Sequence, residues 1–146
     1  MTFIHPDLRT IYSNMPENNM VLNAETAVLV RQSIVMPEMA DVGNDPDLVI
    51  TRLSIPGPAG DIKQYIVQPK PEEGKLYPVV LDIHGGGMFY GTAEDAAPLM
   101  AEAAKKLGYL YISPEYRLAP EHPYPAALED CYATLLWIHD HIKEYQ

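Results

Sequence analysis

Pro78-Val79-Val80-Leu81-Asp82-Ile83 is a short, nearly continuous apolar run, and His84-Gly85-Gly86-Gly87 ends it abruptly. A run of this length and composition suits a strand buried on both faces of a parallel sheet. Three consecutive glycines let the backbone turn where side chains would clash, and they bring bare N–H groups close to a ligand. Further along, Ala97, Met100, Ala101 and Ala104 fall at i, i+3, i+4 and i+7, which predicts a helix over about 94–107. Pro98 fits such a helix only in its first turn, and Gly108 is a natural C-cap. Residues 109–113 read as a second apolar strand. The expectation is a strand, helix, strand unit with a right-handed crossover. The end of a parallel strand ahead of a helix is where α/β enzymes place their sites. Two N–H groups there can hold a developing oxyanion, worth roughly 3 kcal/mol per donor. From the tetrapeptide alone, a flexible glycine turn stands as the equal alternative.

Upstream, residues 48–55 and 62–67 are rich in β-branched and apolar residues and flank the turn-forming Pro56-Gly57-Pro58-Ala59-Gly60-Asp61. The pair predicts a ribbon at a sheet edge. Before it, residues 5–14 suit a short helix, and Asn23 is an N-cap for a helix from Ala24 to about Met36, stopped by Pro37. Residues 39–46 read as a linker. At the other end, a proline-rich loop over 114–125 leads into a helix over about 126–144. Leu128, Cys131, Leu135, Ile138 and Ile142 form the expected apolar stripe of that helix. A crossover helix should deliver the chain into another parallel strand, and none follows before Gln146.

Composition narrows the function. The 146 residues suit one domain, and 47% hydrophobic with 21% charged residues reads as globular. The formal net charge is -10, with only 10 lysines and arginines, which argues against a phosphate-backbone binder. Cys131 is the single cysteine, so neither an intrachain disulfide nor a four-cysteine metal site is available. Its place on the apolar stripe reads as packing, not as a nucleophile. His139 and His141 are two apart on a predicted helix and diverge. No signal-peptide core and no membrane-length apolar stretch is present, so the expected location is cytoplasmic.

Glu115-Tyr116-Arg117-Leu118-Ala119-Pro120-Glu121-His122-Pro123-Tyr124-Pro125-Ala126-Ala127-Leu128-Glu129-Asp130 lies about thirty residues after the glycine loop. Together the two resemble the hormone-sensitive-lipase-like (HGGG) branch of the α/β-hydrolases, strongly over residues 77–138. The resemblance implies an α/β chain holding an incomplete α/β-hydrolase fold, its N-terminal half. Residues 1–46 would be a helical cap segment and linker. Residues 47–146 would hold an edge ribbon and two parallel strands with crossover helices, ending before the nucleophile strand. It further implies that Gly86 and Gly87, with Gly85, supply oxyanion-hole N–H groups and that His84 braces the loop. Met88, Phe89 and Tyr90 would sit at the mouth of an acyl or alcohol pocket, or simply pack under the loop. Arg117 and Glu121 would tie down the proline-rich loop. The implied chemistry is carboxylic-ester hydrolysis, with no cofactor and no metal.

The family's nucleophile sits in a G-x-S-x-G elbow. The serines here are Ser13, Ser33, Ser54 and Ser113, and none has that spacing. The catalytic Asp and His would come later still. The chain is therefore expected to be inactive alone. Its partners would be an ester-type small molecule once the site is completed, and a second copy or a complementary C-terminal fragment along an unpaired strand edge. Two other readings stay open. One is a non-catalytic small-molecule-binding or interaction module, small-molecule binding without hydrolysis being the use of this fold in the gibberellin receptors of the same branch. The other is a truncated product without function.

Overall fold

The computed structural model describes residues 5–14, 21–34 and 42–145. Four strands form one mixed sheet: β1 (Leu48–Gly57), β2 (Gly60–Pro69), β3 (Val79–Leu81) and β4 (Leu110–Pro114), in the order β1-β2-β4-β3. β1 and β2 pair antiparallel from Leu48↔Pro69 to Gly57↔Gly60, the expected ribbon. β2 pairs antiparallel with β4, with Ile66 opposite Ile112. β3 and β4 are parallel, and the Asp82 N–H adds one more bond to the Ile112 carbonyl at 2.9 Å. The strand expected over 79–83 is shorter, because Ile83 already leaves the ladder and is half exposed. β3 is an edge strand, and its outer side has no partner among the described residues.

Two helices cover the two faces. α3 (Ala97–Leu107) buries the predicted stripe of Ala97, Met100, Ala101 and Ala104 against Leu48, Tyr65 and Val67. Small side chains at three of those four positions let the helix lie close to the sheet. The helix predicted from 94 begins as a 3-10 turn, Ala93–Ala96, and this puts Pro98 in the first turn of α3, where its missing N–H costs no bond. Thr92 and Asp95 close a reciprocal capping box on that turn. Gly108 ends α3 at φ 67°, its N–H on the Ala104 carbonyl.

α4 (Ala126–His141) covers the other face, and a 3-10 turn, Ile142–Tyr145, replaces its expected last turn. Ile138 packs with Ile66, Tyr77, Leu110 and Ile112. The apolar stripe of α4 differs from the expected one. Ala127, Asp130, Cys131, Thr134 and Ile138 face inward, whereas Leu128 and Leu135 are 53% and 47% exposed. Thr134 is fully buried because its hydroxyl accepts from Gln64 Nε2 at 3.1 Å and donates to the Asp130 carbonyl. Leu128, Tyr132, Leu135 and Leu136 form a second, outward stripe at helical spacing.

At the N-terminus, α1 (Arg9–Ser13) follows a short 3-10 turn, Pro6–Leu8, and buries nothing. α2 (Ala24–Ser33) starts at the predicted cap: Asn23 accepts from the Glu25 and Thr26 amides. The expected stop at Pro37 lies outside the described residues, as does most of the linker over 39–46; its last part begins with a 3-10 turn, Val42–Asn44. No helix among the described residues is long and apolar enough to cross a membrane.

Candidate active site

The glycine loop leaves the C-terminal end of β3 as a tight turn. The Phe89 and Tyr90 amides both donate to the Gly86 carbonyl at 3.1 Å. That turn requires glycine at position 86. Its φ is 117°, and a Cβ there would stand 1.9 Å from the Tyr90 carbonyl oxygen. Met88 is held at φ 63°, the one positive φ of a non-glycine residue among those described. Among the described residues, the amides of Gly85, Gly86, Gly87 and Met88 donate to nothing. Four successive free N–H groups at a strand end are an unspent set of donors for an anion.

The support beneath the loop is aromatic. His84 is buried, and Tyr116 stacks on it with ring centroids 4.1 Å apart and planes 9° from parallel. His84 Nδ1 donates to the Gly85 carbonyl at 2.8 Å, and the Tyr116 hydroxyl donates to the His84 carbonyl at 2.8 Å. His84 Nε2 is buried with no hydrogen-bond partner among the described residues. Burial pushes the Tyr116 hydroxyl up to about 12, so it stays a donor at neutral pH. Sequence reasoning passed over Tyr116, although it stands between two residues of the run that carries the resemblance.

The proline-rich loop over 114–125 flanks the glycine loop. Its Ala119 N–H donates to the Met88 carbonyl at 2.9 Å. Arg117 and Glu121 both anchor it, but to different elements. Arg117 reaches Asp130 on α4: its Nε and Nη2 contact both carboxylate oxygens at 2.9–3.1 Å, and its own amide donates to Oδ2 at 2.9 Å. Glu121 meets Arg31 of α2, whose Nη1 and Nη2 each donate to one carboxylate oxygen at 2.9 Å. The Arg31 hydrogen bond holds the Glu121 carboxyl below its ordinary range.

Met88 is 54% exposed, while Phe89 and Tyr90 are half-buried and meet edge to face at 5.1 Å. An open cleft of about 730 Å³ lies elsewhere, bounded by Arg52, Lys63, Tyr65, Thr92, Glu94 and Glu115, and none of residues 84–90 lines it. The Arg52–Glu94 ion pair at 2.6 Å already spends charge of both signs there.

Among the described residues, no side chain beside the loop is an activated nucleophile. Ser113 is fully buried and donates to Asp82 at 3.2 Å. Burial, with the Asp130 charge beside it, raises the Cys131 thiol to about 11, so at pH 8 it is neutral. Iodoacetamide at pH 8 is expected to leave native Cys131 unmodified and to alkylate it fully in urea. Rapid labelling of the native chain, followed by mass spectrometry, would contradict this. His139 Nδ1 lies 2.9 Å from Asp140 on the surface, and His141 donates to the Trp137 carbonyl while stacking on its ring, so the two histidines share no ligand.

The loop and its supports match known proteins. The alpha/beta hydrolase fold family matches residues 80–146. The chain is 41% identical over 101 residues to the esterase LipI of Mycobacterium tuberculosis, covering 68% of this chain and 31% of the esterase. It is 36% identical over 76 residues to the hormone-sensitive lipase of Mus musculus, covering 51% of this chain and 10% of the lipase. The chain is similar to the hormone-sensitive-lipase-like branch of the α/β-hydrolases, over part of that fold. Solved members of this fold superpose on it. Bacterial heroin esterase, 38% identical, gives a TM-score of 0.67 over 84% of this chain and 37% of that one. A Pyrobaculum calidifontis esterase, 29% identical, gives 0.66 over 97% of this chain and 44% of that one. The four-stranded sheet is thus a partial α/β-hydrolase fold, and the chain spans 25% and 31% of the mycobacterial LipN and LipI.

Proposed function

We propose that residues 85–87 supply the oxyanion site of a cytoplasmic carboxylic-ester hydrolase whose serine, acid and histidine lie outside these 146 residues. The observation that carries this reading is the set of unspent amides at Gly85, Gly86 and Gly87, at the C-terminal end of a parallel strand. Preformed donors of this kind stabilise the negative oxygen of a tetrahedral intermediate without reorganising during the reaction. The loop is held by packing and hydrogen bonds, not by the ligand, so its donors stand ready before an ester arrives. Esterase and lipase relatives support the substrate class. The open edge of β3 supports a partner strand, from a complementary fragment or a second copy, as the means of completing the site.

The test is hydrolysis of p-nitrophenyl acetate and butyrate. The purified chain is expected to match buffer. Co-expression with the part of LipI that follows its matched region is expected to produce saturable turnover. Turnover by the mass-verified 146-residue chain alone would overturn the reading. A second reading, ligand binding without hydrolysis, draws on the same free amides and the buried state of Ser113 and Cys131. An ester phosphonate that raises the melting temperature, with no turnover in either experiment, would favour it.

A further inference from the structure

Arg31 does more than pair with Glu121. It sits in the last turn of α2, a helix whose single buried residue among those described is Ala27. Leu29 on the same helix is 63% exposed. α2 therefore buries little apolar surface, with Val28, Val30 and Ile34 only partly covered beside Ala27. Its Arg31 instead reaches two segments that are distant in sequence. Nε donates to the Phe89 carbonyl at 2.6 Å. Nη2 donates to the Ala119 carbonyl and, with Nη1, to the Glu121 carboxylate. Ala119 in turn donates to the Met88 carbonyl. One guanidinium thus closes a three-way junction of the N-terminal helix, the glycine turn and the proline-rich loop. Only a planar fork can do this. A lysine offers one nitrogen and cannot meet a carboxylate bidentately and two carbonyls at the same time.

We propose that Arg31 is a positioning residue that makes the geometry of the turn over 85–91 depend on docking of helix α2. The inference rests on reading that turn as the oxyanion site, and it deepens that reading: the N-terminal segment becomes a device that sets the amide donors. Among the described residues, Phe89 and Met88 are the two carbonyls through which the turn is held from outside, and both lead to Arg31, the first directly and the second through Ala119. Removing the guanidinium leaves the Phe89 carbonyl without its donor and frees Glu121. The turn then keeps its internal bonds to Gly86, the His84 bond to the Gly85 carbonyl and the Ala119 bond to the Met88 carbonyl, the last on a loop that has lost its tie to α2.

Amide hydrogen exchange on the purified chain tests this without any ester. In Arg31→Ala and Arg31→Lys, exchange at Phe89, Tyr90 and Ala119 is expected to speed up by roughly tenfold, the scale of one lost hydrogen bond to each segment. Exchange at Ile66 and Ile112 in the sheet is expected to stay as in the parent. Glu121→Gln keeps the bonds to Phe89 and Ala119 and is expected to fall between. Unchanged exchange at Phe89 and Tyr90 while α2 opens would overturn the inference, since Arg31 would then only dock the helix. Equal acceleration throughout the sheet would also overturn it, as a general stability effect. Should Arg31→Ala fail to fold, Arg31→Lys, which keeps the charge and the stem, carries the same readout. Failure of the ester-site reading would look different: no turnover in the completed enzyme, with loop exchange still governed by Arg31.

Discussion

Gly86→Ala is expected to remove the glycine turn and to destabilise the chain by about 3 kcal/mol. A φ of 117° is a conformation that side chains avoid at roughly 1–3 kcal/mol. Here strain is the lesser problem, because the new Cβ would stand 1.9 Å from the Tyr90 carbonyl oxygen. That oxygen belongs to the backbone and has no flexible end to move. The turn must open, and the Phe89 and Tyr90 amides then lose the Gly86 carbonyl at about 0.5–1.5 kcal/mol each. Gly85→Ala is the matched control. A Cβ at position 85 meets nothing within 4 Å, so its stability should stay within about 0.5 kcal/mol of the parent. Urea unfolding of the two variants beside the parent measures the contrast. In the enzyme completed as proposed above, Gly86→Ala should also lower kcat by roughly 10²–10³, the loss seen when one oxyanion donor is removed. Equal midpoints for the Gly85 and Gly86 variants would show that the turn does not need its glycine.

The parts legible in the sequence were those where chemistry is local. A glycine triplet after an apolar run marks a strand end, and His84 through Gly87 stand there. The stripe of α3 was legible because its apolar residues occupy one face. The stripe of α4 was legible only at Cys131 and Ile138, because Leu128, Tyr132, Leu135 and Leu136 offer a second apolar face as hydrophobic as the one that is buried. The choice between them is made by the sheet: Gln64 supplies a hydrogen bond that only a residue like Thr134 can answer, and the alanines at 126 and 127 allow close approach. A polar residue on the inward face disguised it. Arg31 was illegible for a different reason. Its partners Phe89, Ala119 and Glu121 are 58, 88 and 90 residues away, and no spacing rule joins them. Tyr116 lay within the recognised run, but its stacking under His84 is a fact of three dimensions.

Asp130→Ala is expected to be the most damaging change outside the glycine loop, at roughly 3 kcal/mol. Asp130 is 2% exposed and answers three donors of one residue, the Arg117 amide, Nε and Nη2. Removing one partner of a buried pair costs about 3–5 kcal/mol because the other is left uncompensated. The low end applies here, since the Arg117 side chain is 24% exposed and water can reach part of it. Asp130→Asn should recover little. It returns one acceptor oxygen but points two N–H donors at a residue that offers only donors. The double variant Arg117→Met, Asp130→Leu should be more stable than Asp130→Ala alone, because it removes both charges and replaces them with apolar bulk. A double-mutant cycle by urea unfolding separates the pair's coupling from the loss of each side chain. The consequence reaches the site through the chain itself. Arg117 anchors the loop that carries Ala119 to the Met88 carbonyl, so loss of Asp130 should loosen exchange at Ala119 as well as lower stability. A midpoint unchanged by Asp130→Ala would mean that Glu129, 3.5 Å from Arg117 Nη2, and the Ala126 carbonyl already satisfy the guanidinium, and that the loop does not need Asp130.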